Sequence, residues 1–126
     1  MEKVITRTAG MWKDEHGIFW VQLREGVTID LEDITDNMLV TRNITGNEPH
    51  LKILDSRSKW KMTEEATEYF KREDGSNKTI ARAVLVNSVA DKLIQNILLK
   101  LFRPHIALSF FTSEKEAVNW LLEFKK

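Results

Sequence analysis

Four consecutive apolar residues, Ala83-Val84-Leu85-Val86, close the strand-like run from Ile80 to Val86 and constrain the fold more than any other feature. A strand with one wet face alternates apolar and polar residues. A run without alternation marks a central strand covered on both sides. Such cover calls for a sheet with helices packed on its faces, and the rest of the chain reads as strands alternating with helices.

The segment from Lys3 to Ala9 reads as a first strand, and the aromatic, β-branched Ile18–Leu23 as a second. The polar turn Lys13-Asp14-Glu15-His16-Gly17 between them favours an antiparallel hairpin. Asp30 caps a first helix whose stripe is Leu31, Ile34 and Met38, and which ends before Gly46. Leu51–Leu54 is a short strand closing on Asp55, and Thr63 caps the next helix, stopped at Gly75. Ser88 and Asp91 have the spacing that opens a helix over Val89–Phe102, ended by Pro104. Ile106–Phe111 is a last strand, and Ser113-Glu114-Lys115-Glu116 is a capping box for a terminal helix. The reading is one α/β domain over residues 1–126, with a mostly parallel five-stranded sheet, about four helices and an N-terminal hairpin.

Nineteen basic residues balance nineteen acidic ones and interleave with them, as in Lys71-Arg72-Glu73-Asp74. Nucleic-acid binding rests on clustered cations, so no nucleic-acid partner is expected. The absence of cysteine removes disulfides, thiol catalysis and the usual structural zinc sites. His16, His50 and His105 fall in expected loops without the spacing of a metal pair, so neither metal nor cofactor is expected. Met1–Arg7 lacks an apolar run of signal length. Leu93–Phe102 is interrupted by Gln95, Asn96 and Lys100, far short of the ~20 residues that span a bilayer. The expectation is a cytoplasmic protein without stable membrane insertion.

In open parallel sheets ligands bind where loops leave the carboxyl ends of the strands. That rule selects Asp55, Ser56, Arg57 and Ser58 after one strand, Asn87 and Ser88 after the next, and Thr112 with Ser113 after the last. The same residue types also serve as helix caps and loop ties. No Gly-x-Ser-x-Gly elbow and no Gly-Lys-Ser/Thr loop occurs, so no enzymatic activity is expected. Trp20 and Trp120 read as core, whereas Trp12 and Trp60 fall in expected loops, each a candidate lid or partner surface. The Val89–Phe102 helix is apolar over about half its circumference, with Leu99 on its polar side. Leu99, Phe102 and Trp60 are therefore the interface candidates.

Leu51-Lys52-Ile53-Leu54-Asp55-Ser56-Arg57, Ala83-Val84-Leu85-Val86, Phe102-Arg103-Pro104 and Phe111-Thr112-Ser113-Glu114-Lys115-Glu116-Ala117-Val118-Asn119-Trp120-Leu121 carry a further likeness. With the order of elements, they make the chain resemble the SpoIIAA-like superfamily. That group covers STAS domains and, in a more elaborated form, lipid-binding Sec14 domains, and the likeness is nearest to its small bacterial proteins. The resemblance implies a non-enzymatic interaction or regulatory module acting through a protein partner or as a homodimer. Its alternative is a small-ligand or lipid carrier of the Sec14 type. STAS antagonists switch through a serine in an Asp-Ser-Ser/Thr-Gly stretch opening the helix after the third strand. This chain has Met62-Thr63-Glu64-Glu65 there, which departs from the switch.

Overall fold

The computed structural model describes residues 2–73, 78–88, 90, 92 and 106–125. In chain order the strands and helices are β1 (Val4–Ile5), β2 (Ala9–Lys13), β3 (Phe19–Leu23), β4 (Val27–Ile29), α1 (Leu31–Thr45), β5 (His50–Asp55), β6 (Trp60–Met62), α2 (Glu64–Glu73), β7 (Thr79–Leu85), β8 (Ala107–Phe111) and α3 (Glu114–Leu122). Of the helix expected over Val89–Phe102, only Ala90 and Lys92, both helical, are among the described residues; Leu99 and Phe102 lie outside them, as do Gly75 and His105.

Six strands form the main sheet in the order β1-β2-β3-β5-β7-β8, and β4 pairs with β6 in a small second sheet. The first three strands are antiparallel neighbours, and β3, β5, β7 and β8 run parallel. The chain is thus mixed α/β with a partly parallel sheet. Among the described residues the expected five strands become six plus two. Every residue from Ala81 to Leu85 is buried, as an unalternating apolar strand requires. One sheet face carries Ile18, Trp20, Leu51, Ile53, Ala83 and Leu85, covered by Ala117 and Leu121 of α3. The other carries Met11, Phe19, Val21 and Leu23, packed with Ile34, Val40 and Ile44 of α1.

The local signals set the helix ends. Asp30 accepts from the Asp33 N–H while the Asp33 carboxylate accepts from the Asp30 N–H, a reciprocal capping box. Gly46, at φ 68°, ends α1 in the left-handed conformation that glycine adopts without a Cβ penalty. Thr63 Oγ1 accepts from the Ala66 N–H at 3.1 Å, and Ser113 caps α3.

The N-terminus departs from expectation. The first hairpin strand is Ala9–Lys13, not Lys3–Ala9, because Thr6-Arg7-Thr8 forms a turn. The Thr6 N–H donates to the Ala9 carbonyl at 2.8 Å, and Thr6 Oγ1 accepts from the Ala9 N–H at 3.1 Å. Trp12 and Trp60, expected in loops, lie in β2 and β6, and His50 opens β5. No helix among the described residues is long and apolar enough to cross a membrane.

Candidate functional site

Parallel register places Gln22, Asp55 and Leu85 side by side at the carboxyl ends of β3, β5 and β7. Asp55 is only 4% exposed, and a carboxylate buried on an apolar face must find charged or hydrogen-bonding partners. Arg57 provides them two residues later. Its Nε donates to Asp55 Oδ1 at 2.9 Å, its guanidinium NH2 to Oδ2 at 2.8 Å, and its backbone N–H to Oδ1 at 3.2 Å. This is the two-pronged fork that only arginine forms with a carboxylate. The Gln22 amide adds a donor to Oδ2 at 3.3 Å. Burial pushes the Asp55 carboxyl up, but the Arg57 hydrogen bonds outweigh it and hold the group below the usual carboxylate range. The same bond to Asp55, seconded by Glu114, holds the Arg57 guanidinium well above its ordinary value.

Arg57 also reaches α3, where its guanidinium donates to Glu114 Oε2 at 2.9 Å. The acid stands in the first turn of that helix, where negative charge is favoured. One guanidinium therefore ties the β5–β6 loop to the helix that covers the sheet. The Asn87 amide donates to the Arg57 carbonyl at 2.6 Å, and Ser56 Oγ to the Leu85 carbonyl at 2.7 Å. Asp55, Ser56, Arg57 and Asn87 thus come together. Ser58 turns away and donates to the Leu23 carbonyl at 2.9 Å. The Ser88 carbonyl accepts from the Lys92 N–H, and Thr112 is exposed between β8 and α3. Trp60 packs against the α1 face, its indole N–H bonded to the Ser56 carbonyl at 3.2 Å.

Beside this cluster opens a cleft of about 560 Å³ that motif reading missed. Its floor is Trp12, Trp20 and Gln22, and one wall is the Glu114, Lys115 and Val118 side of α3. Trp12 and Trp20 face each other across the hairpin, with ring centroids 5.4 Å apart and planes 12° from parallel. The turn that sets their register is built on Asp14. Its Oδ1 accepts from the His16 and Ile18 N–H groups, at 2.9 and 3.0 Å, and its Oδ2 from the Trp20 indole at 2.8 Å. Gly17 at φ 79° closes that turn. The only signal for the pair was the number of residues between the two tryptophans, and it becomes readable once the hairpin register is known. Among the described residues no group of three or more His, Cys, Asp and Glu side chains is gathered as for a metal ion.

Comparison with known proteins places this architecture. An uncharacterized protein from the DUF3478 family with a SpoIIAA-like fold, from Shewanella loihica PV-4, superposes with a TM-score of 0.66 at 10% identity over 96% of both chains. A protein with unknown function from Arthrobacter sp. FB24 is 24% identical over 94% of this chain and 95% of its own, with a TM-score of 0.36. No curated protein matches the sequence. The first likeness is one of fold, and it confirms the SpoIIAA-like architecture that the resemblance implied. A family model, Domain of unknown function (DUF7793), matches residues 11–125, and the chain belongs to that family.

Proposed function

We propose that this protein is a non-enzymatic interaction module with a SpoIIAA-like fold, and that it engages a protein partner through the cleft between the Trp12–Trp20 pair and α3. The observation that carries the reading is the stacked tryptophan pair at the floor of the cleft, with Trp20 buried and Trp12 half-buried. Large, rigid aromatic side chains with a polar rim are the composition of binding hot spots. The strand-end polar groups, by contrast, are committed to one another. Asp55 is saturated by Arg57 and Gln22, and the Ser56 hydroxyl is donated to a backbone carbonyl. Neither is placed as a nucleophile with a base in reach, which supports a binding role over a catalytic one.

A second reading is a small polar ligand, favoured by the volume of the cleft, which falls within the range of small-molecule sites. The charged rim of Asp14, Glu15, Arg57 and Glu114 does not suit an acyl chain. Affinity capture from the native host separates the protein-binding reading from its rivals. Wild type retains a reproducible stoichiometric partner and Trp12→Ala loses it. Equal capture by both proteins contradicts the assignment of the cleft, and a ligand mass on wild type in native mass spectrometry, without a protein partner, favours the second reading.

A further inference from the structure

A cation of the same chain already lies against Trp12 at the margin of the cleft, and that points to the cleft's chemistry. The Lys3 ammonium lies over the Trp12 ring, 4.7 Å from its centroid, although Lys3 is otherwise exposed. Gly10 makes that position available. A Cβ built on Gly10 would stand 2.8 Å from Lys3 Cε and 3.3 Å from Ile5 Cδ1, so both side chains cross the face that Gly10 leaves bare. Trp12, two residues along β2, projects from the same face of the pleat. A cation held over an aromatic ring is favoured by the ring's quadrupole, and by more once water is excluded.

The charges around the platform point the same way. Asp14, Glu15, Asp55 and Glu114 line the cleft against Arg57 and Lys115. Arg57 answers Asp55 and Glu114 together. Asp14 is held by three uncharged N–H donors, so its position is fixed and its charge is uncompensated by them. Glu15 projects into solvent, its side chain 74% exposed. A fixed carboxylate beside a stacked indole pair is an arrangement that receives a guanidinium or an ammonium. The floor continues to β1, whose pairing with β2 is only two residues long and whose Ile5 is 58% exposed.

Resting on the interaction reading above, we propose that the cleft binds an extended segment of a protein partner through an arginine or lysine side chain, which takes the place of Lys3 on Trp12. The partner's cation then lies over the Trp12 indole face, the rest of its segment meets the Asp14 and Glu15 side of the cleft, and Lys3 is released to solvent. Lys3 is an internal competitor that lowers the apparent affinity.

The test uses the full chain, a fluorescein-labelled hexa-arginine peptide and a hexa-glutamate control at physiological salt. The indole N–H resonances of all four tryptophans are followed by ¹⁵N–¹H NMR. The expected result is saturable binding of hexa-arginine that moves the Trp12 and Trp20 resonances and leaves hexa-glutamate unbound. Trp12→Ala, which removes no charge, weakens binding about tenfold, and Lys3→Ala tightens it about threefold. Trp12→Phe retains part of the affinity. If Trp12→Ala does not fold, the Lys3→Ala and Trp12→Phe results decide. Binding that is unchanged in Trp12→Ala, or that Lys3→Ala tightens no more than the charge-matched Lys61→Ala does, would reduce the effect to diffuse charge attraction and overturn the proposal. Absence of hexa-arginine binding, or binding of spermidine in its place, overturns it equally. Failure here, while Trp12→Ala still abolishes capture of the native partner, refutes the basic-segment assignment alone. Loss of the Trp12 dependence in both experiments removes the cleft itself.

Discussion

Arg57 is the residue on which the most depends. It neutralises a carboxylate that is almost fully buried and reaches a helix more than fifty residues away in the chain. Arg57→Ala leaves Asp55 without its charged partner at the end of the central strands. A hydrogen bond to a charged group contributes about 1.5–3 kcal/mol, and the half-open position of Arg57 keeps the expected loss near 2–3 kcal/mol, read from urea unfolding at neutral pH. The pH dependence follows from the direction of the Asp55 shift. A carboxyl held below its ordinary value contributes its stability above the unfolded-state pKa of about 3.9, and loses it as pH falls through the lower folded value. The gap between wild type and Arg57→Ala therefore narrows in acid below about pH 4. A gap constant from neutral pH to pH 3 contradicts the pairing as the source of the loss.

His50 titrates with the opposite chemistry and the same sign of effect. Burial holds its imidazole below the usual histidine value, against the hydrogen bond from Nδ1–H to the Glu48 carbonyl. The cationic Lys52, Arg82 and Lys13 lower it further, and the ring meets Phe19 edge-on at 5.7 Å. The neutral ring is the one that fits. Stability is thus complete above about pH 6.5 and falls as the pH drops toward the folded value. The urea midpoint of wild type should fall between about pH 7.5 and pH 5, and that of His50→Gln should fall less. Parallel curves for the two proteins would move the acid sensitivity to other groups.

At the scale of elements, the helices over Leu31–Thr45, Glu64–Glu73 and Glu114–Leu122 were legible and several strands were not, for one physical reason. A cap is a local interaction. Asp30, Thr63 and Ser113 stand within three residues of the N–H groups they accept from, so their spacing can be read directly. Thr63→Ala is expected to lower stability by about 1 kcal/mol, and Asp30→Ala by about 1–2 kcal/mol because it removes the acceptor of the Asp33 N–H. Chemical denaturation checks both, and a change below a few tenths of a kcal/mol would deny the caps their role. Val27–Ile29 and Trp60–Met62 are only three residues each and exist as strands because they pair with one another across the chain. Neither carries a pattern of its own that marks it. Trp12 was misplaced for a related reason. The run Ala9-Gly10-Met11-Trp12-Lys13 opens with three buried residues, one of them the glycine over which Lys3 lies, and it shows no alternation.

For the molecule as a whole, the both-face burial of β7 was readable in four apolar residues, and with it the layered α/β architecture. Asp55, Ser56, Arg57 and Asn87 were readable as a group because the strand-end rule depends only on topology. The cleft was not, because it is assembled by register and by helix placement. Trp12 meets Trp20 only when β2 and β3 pair as they do, and Glu114 meets them only when α3 lies across the sheet. The central claim is that this composite face, and no other, meets the partner. Hydroxyl-radical footprinting of the protein alone and in its native complex tests it most directly, since Trp12 is half-buried and tryptophan is readily oxidised. The account predicts that oxidation of Trp12, Lys115 and Val118 falls on complex formation while that of the exposed Leu39 on α1 is unchanged. Protection of Leu39 with Trp12 left fully reactive would contradict it.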